Sequence, residues 1–104
     1  MNIDDLENFS AISIITNPEK LLMGIYREAV AESYNDGGIK GWRFYVEKIN
    51  DFGENEPLWD TWEENFASIL EYPKTYANFP VVWQSTNDGK FIEMSEIAEF
   101  IASL

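Results

Sequence analysis

The chain contains no cysteine and no histidine, and it carries only seven lysines and arginines against nineteen aspartates and glutamates in 104 residues. Each shortage excludes a class of function. Without thiols there is no disulfide framework and no cysteine nucleophile, and the composition suits a reducing compartment such as the cytoplasm. Without imidazole as well there is no zinc finger, no Ser-His-Asp triad and no histidine general base. A formal net charge of −12 and a pI near 4.1 leave too few cations to hold phosphates, so direct binding of nucleic acid is not expected. No apolar run reaches the length of about 18 residues needed for a membrane span. The opening Asn2-Ile3-Asp4-Asp5 is acidic and does not fit a secretory signal.

What is present is apolar bulk. Hydrophobic residues make up 45 %, with four Trp, five Tyr and seven Phe, which separates this chain from a disordered acidic tail. The length suits one domain spanning residues 1–104. Local patterns predict a mainly helical α+β fold with one small antiparallel hairpin near the C-terminus. Ile3, Leu6 and Phe9 suggest a short opening helix, after which Ile12, Ile14 and Ile15 read as a strand or a buried continuation. Asn17-Pro18-Glu19 offers a cap, a first-turn proline and a favourable carboxylate. The apolar stripe Leu22, Ile25, Tyr26, Ala29, Val30 and Ser33 then predicts a helix ending at Asn35-Asp36-Gly37-Gly38.

The segment Ile39–Phe52 fits either period. Trp42, Phe44 and Val46 alternate, yet Ile39, Trp42, Val46 and Ile49 share a helical face, and helix is the expectation. Leu58–Glu71 reads as a helix through Trp59, Trp62, Phe66, Ile69 and Leu70, preceded by Pro57 and stopped by Pro73. Two runs around Asn87-Asp88-Gly89 predict a hairpin, and Ser95 is placed to cap a last helix bearing Ile97, Phe100, Ile101 and Leu104.

The charge is unevenly spread. From Ile49 to Pro73 there is no lysine or arginine, while Asp51, Glu54, Glu56, Asp60, Glu63, Glu64 and Glu71 lie within it. Elsewhere acids alternate with bases, as in Glu19-Lys20, Arg27-Glu28 and Glu47-Lys48. Like charges at helical spacing repel by a few tenths of a kcal/mol per pair, so a solvated face would ordinarily be interleaved. Two tryptophans inside the block add the residue type that anchors binding hot spots. Asp51, Glu54, Glu56, Trp59, Asp60, Glu63 and Glu64 are therefore the expected partner-binding residues.

Catalytic and metal motifs are missing. No carboxylate pair is singled out for glycosidase or acid–base chemistry, and a domain this small leaves little room for a cleft. Asp51–Asn55 and Asn87–Gly89 miss the EF-hand spacing, and Gly37, Gly38 and Gly41 are not followed by the lysine of a phosphate loop. The expectation is a protein that is no enzyme and has no catalytic residue, metal or cofactor.

Gly53-Glu54-Asn55-Glu56-Pro57-Leu58-Trp59-Asp60, with Leu70-Glu71-Tyr72-Pro73 beyond it, resembles the segment around the binding helix of the barstar family, the acidic inhibitors of a ribonuclease. The resemblance implies a helix bearing Leu58, Trp59 and Asp60, with Asp60 a contact and Trp59 its packing support. Size, acidity and aromatic content also resemble the small immunity proteins that bacteria make against nuclease toxins, including those of contact-dependent growth inhibition. The expected partner is a cationic protein, a nuclease toxin, whose active site an acidic surface would occlude in the cytoplasm. Two alternatives share the composition: a phage-encoded DNA mimic that blocks a restriction or CRISPR enzyme, and a non-inhibitory adaptor or oligomerising module.

Overall fold

A period of two governs more of the chain than a period of 3.6. The computed structural model describes residues 2–16, 19–32, 35–78 and 80–104. Strand accounts for 45 % of it and helix for 24 %, so the mainly helical expectation is overturned. The elements run α1 (Ile3–Glu7), β1 (Ser10–Ile15), β2 (Leu21–Glu32), β3 (Asn35–Ile49), β4 (Asn55–Glu63), α2 (Phe66–Ile69), α3 (Pro73–Tyr76), β5 (Trp83–Ser85), β6 (Phe91–Ile92) and α4 (Met94–Ala102). Among the described residues six strands form one antiparallel sheet in the order β4-β3-β2-β1-β5-β6. Four consecutive strands therefore make a meander, and the chain returns across the helical layer to add β5 and β6 beyond β1.

Side chains alternate across a strand, and the register shows which face is filled. Ala11 stands opposite Ile25 and Ile25 opposite Phe44, while Met23 links Ser13 to Val46. These residues are buried, as are Leu6 and Phe9 around α1, Phe66 and Ile69 of α2, and Met94 and Ile97 of α4. Trp42, 1 % exposed, lies where they meet: its ring is 5.5 Å from that of Phe9 and 4.6 Å from that of Phe66. The buried Ser13 hydroxyl on this face donates to the Val82 carbonyl at 2.6 Å, which removes the cost of an unpaired polar group.

The predicted helix after Asn17-Pro18 is strand β2. Its stripe mixed two faces: Ile25 points into the core beside Leu21 and Met23, which the stripe did not include, and Leu22 and Tyr26 lie on the opposite side. The Asn17–Pro18 cap and Ser33 lie outside the described residues. Gly38 does adopt a left-handed φ of 63°, at the irregularity where Val30 pairs Ile39 and Glu32 pairs Asn35, not at a helix end. Residues 39–49 belong to strand β3, so the alternation of Trp42, Phe44 and Val46 was the controlling signal. The predicted helix over 58–71 divides into β4 and α2, and Pro73 starts α3 at its first position instead of stopping a helix.

Where signals were local, elements appear close to their expected positions. Asn2 caps α1 reciprocally with Asp5, through contacts of 2.9 and 3.1 Å. The hairpin β5–β6 turns at Gly89, whose φ is 74°. The last helix runs Met94–Ala102, with Glu93 rather than Ser95 at its N-cap position.

A test of this architecture separates two tryptophans that the sequence places alike. Trp42→Ala is expected to lower unfolding stability by about 3–5 kcal/mol in urea titration. Trp59→Ala, at a site 44 % exposed, is expected to cost well under half as much. Equal losses would contradict the placement of Trp42 at the centre of the packing.

Candidate functional site

The acidic segment forms a tight turn and the edge strand that follows it. Asn50 builds the turn: its side-chain oxygen accepts from the backbone N–H groups of Phe52 and Glu54, both at 3.0 Å. The Asn50 N–H donates to the Glu54 carbonyl, and the Gly53 N–H to that of Asn50. Gly53 has φ of 78°, which its lack of a side chain permits. Local bonding thus spends the backbone groups of the turn and leaves Asp51, Phe52 and Glu54 directed outward. Phe52 is 90 % exposed. Nothing but its place between two acids in a polar turn could have marked it in the sequence.

From Asn55 the chain runs along β3 as β4, with residues 55–60 all exposed. The register slips once: Val46 pairs Trp59 and Glu47 pairs Pro57, so Leu58 is an extra residue in a bulge. Leu58 and Trp59 are 46 % and 44 % exposed. The Trp59 ring leans on Phe44 and Tyr72, at centroid distances of 6.2 and 5.3 Å, which fixes one side of it and leaves the other to solvent.

The expected residues separate into three groups. Asp51, Glu54, Glu56 and Glu64 are exposed and form no ion pair among the described residues. Asp60 is exposed but lies 3.5 Å from the Arg43 guanidinium. Glu63 is partly buried and accepts the Tyr72 hydroxyl at 2.6 Å; that hydrogen bond raises the Tyr72 pKa. Glu71, further on, pairs with Lys74 at 3.0 Å. Asp60, Glu64 and Glu71 share no helical face, and the helix implied by the barstar resemblance is replaced by strand at Leu58-Trp59-Asp60. On a strand, Glu56, Trp59 and Glu63 share one side and Asp60 lies on the other.

Trp62, assigned to the core stripe in sequence, sits on the face opposite the helices. Its indole N–H donates to the Glu28 carbonyl at 3.2 Å, and its ring covers Gly41 so closely that an added Cβ there would fall 2.2 Å from it. Tyr45 covers Gly24 in the same way. Between these rings Arg43 grips Glu28 with two hydrogen bonds, of 2.9 and 3.0 Å. These bonds hold the Glu28 carboxyl below its ordinary pKa and raise that of Arg43. Burial raises Tyr26, with the Glu28 carboxylate beside it adding to the effect. Sequence reasoning missed this cluster, although the alternation of Gly41, Arg43 and Tyr45 was a signal for it.

No group of three or more acidic side chains among the described residues is placed to hold a metal ion. No described helix is long and apolar enough to cross a membrane. A groove of about 570 Å³ lies toward the opposite edge of the sheet, between α1, the β5–β6 hairpin and the start of α4. It is also acidic, through Asp4, Asp5, Asp88, Glu93 and Glu96, but Lys90 lies among them. Comparisons with protein families, curated proteins and solved structures found no match.

The Glu28–Arg43 pair sets a pH dependence. A carboxylate whose folded pKa is depressed contributes stability that is present above its unfolded pKa and lost as pH falls through the folded one. Glu28→Gln is therefore expected to destabilise the protein near neutral pH, by about 1–2 kcal/mol for a partly exposed pair. The gap from wild type should close under acid conditions. Urea titrations across that range check it, and a gap independent of pH would remove the pair from the stability balance.

Proposed function

We propose that this protein is a cytoplasmic inhibitor of the immunity type, which neutralises a cationic nuclease toxin by covering its active site. The observation that carries the reading is the exposed alternation of apolar and acidic side chains on the turn and edge strand. Phe52, Leu58 and Trp59 are interleaved with Asp51, Glu54, Glu56 and Asp60, and Glu64 follows. Apolar anchors desolvate a contact, and surrounding carboxylates steer a positive partner and occupy positions that substrate phosphates would take. The residues brought together differ from the expected helix face, but the required chemistry is present: charge of one sign with an anchor inside it. Half-buried Trp59, held by Phe44 and Tyr72, offers a surface with little rotamer freedom left to lose.

Charge spacing speaks against duplex mimicry. Glu54, Glu56, Asp60, Glu63 and Glu64 fall within eleven consecutive positions. At about 3.3 Å per residue that is one charge per ~7 Å, whereas a duplex carries one per ~1.7 Å of axis.

The test is calorimetric titration against cationic nucleases encoded beside the gene, paired with an assay of nuclease activity. Tight, salt-sensitive binding that abolishes cleavage is expected. Reversing Glu54, Glu56 and Glu64 to lysine should weaken it by at least about tenfold. Reversing Asp88 and Glu93 in the distant groove should change it little. Absence of any nuclease that binds, or unchanged affinity after the first triple reversal, would overturn the proposal.

A further inference from the structure

We propose that the free edge of β4 takes up an extended, lysine- or arginine-bearing strand of the partner over Trp59–Glu63, adding a seventh strand to the sheet. This rests on the reading of β4 as the surface that meets a cationic protein, and it specifies how. β4 ends the sheet and pairs only with β3 among the described residues. Its outer row of backbone N–H and C=O groups therefore has no strand partner, the condition under which another chain can add.

The edge is not uniformly receptive. Its first half is blunted by Pro57, which has no N–H to give, and by the bulge at Leu58. From Trp59 the register with β3 is regular, residue for residue, to Glu63 opposite Trp42. Those five positions match the length of an ordinary strand.

Charge selects the occupant. A second copy of this chain in parallel register would set Glu56, Asp60, Glu63 and Glu64 against the same carboxylates, and an antiparallel copy centred on Asp60 would set that carboxylate against itself; like charges across a ladder are unfavourable. A cationic strand reverses that sign. Because alternate side chains face opposite ways, it would bring lysine or arginine toward Asp60 on one face of the sheet and toward Glu56 or Glu63 on the other. Trp59 and Trp62, on those same two faces, would flank it with apolar surface. The carboxylates thus bar self-pairing while admitting a positive strand.

The probe is a peptide of alternating lysine and valine, compared with the same peptide N-methylated at every second backbone nitrogen, which keeps the charge and removes the donors. Amide exchange of the full-length protein is followed at low salt. The unmethylated peptide is expected to slow exchange within Trp59–Glu63 by at least about tenfold, and methylation to weaken binding by a similar factor. Equal binding of both peptides, with β4 amides unprotected, would overturn strand addition and leave the electrostatic reading standing. Failure of both peptides to bind would overturn strand addition together with the reading it rests on. Protection of the same amides without peptide, rising with protein concentration, would identify a second copy as the occupant and overturn the choice of partner.

Discussion

The row Trp42–Phe44–Val46 on β3 is the contact on which the rest of the structure depends. Every described helix lies on the face of the sheet to which these three side chains point. Phe9 and Phe66 meet Trp42, while Tyr72 and Tyr76 approach Phe44 at 6.1 Å each. Burial on one face follows from the pleat: once Trp42 is inside, Arg43 and Tyr45 must be on the opposite side. That is why the Arg43–Glu28 pair, Trp62, Tyr26 and Tyr45 form a second layer of rings and charges laid directly on the strands, with Gly24 and Gly41 leaving the space the rings require.

The same constraint explains why β4 is available. It lies at the end of the sheet, and Tyr72 of the helical layer meets it at Trp59 and Glu63. The helices hold β4 in place without covering it. An exposed edge strand is ordinarily a hazard, and carboxylates, a proline and a bulge are physical means of blunting one. In β4 all three occur together, and the acids also prepare the surface for positive charge. Preventing self-association and receiving a cationic partner are therefore compatible demands on the same side chains. Their mutual repulsion is modest because the high dielectric of water weakens it at close range and salt screens what extends beyond about 10 Å.

Not every acid in the segment has the same work. Asp51, Glu54, Glu56 and Glu64 face solvent without ion pairs among the described residues, whereas Asp60 shares Arg43 with Glu28 and Glu63 is tied to Tyr72. A block that looks uniform in sequence is thus divided by structure into exposed charge and carboxylates that brace the sheet. Phe52 and Leu58 join Trp59 as exposed apolar residues, an association invisible to a search along helical faces.

Features decided within a few residues were legible in sequence: the short α1, the turn at Gly89, the C-terminal helix and the absence of bases from Ile49 to Pro73. The long strands were not. Leu22, Ile25, Tyr26 and Ala29 fit a helical stripe, as do Trp59, Trp62 and Phe66, because β2 and β4 carry large residues on both sides and a two-faced strand imitates a 3.6-residue period. What distinguishes the alternatives is a partner far along the chain: Trp59 opposite Val46, Met23 between Ser13 and Val46, Ser13 bonded to Val82. By itself the sequence determined the composition of the surface, one segment rich in acid with aromatics inside it. Only the tertiary structure decided that this segment is an edge strand, since strand pairing satisfies backbone groups through contacts that no local pattern contains.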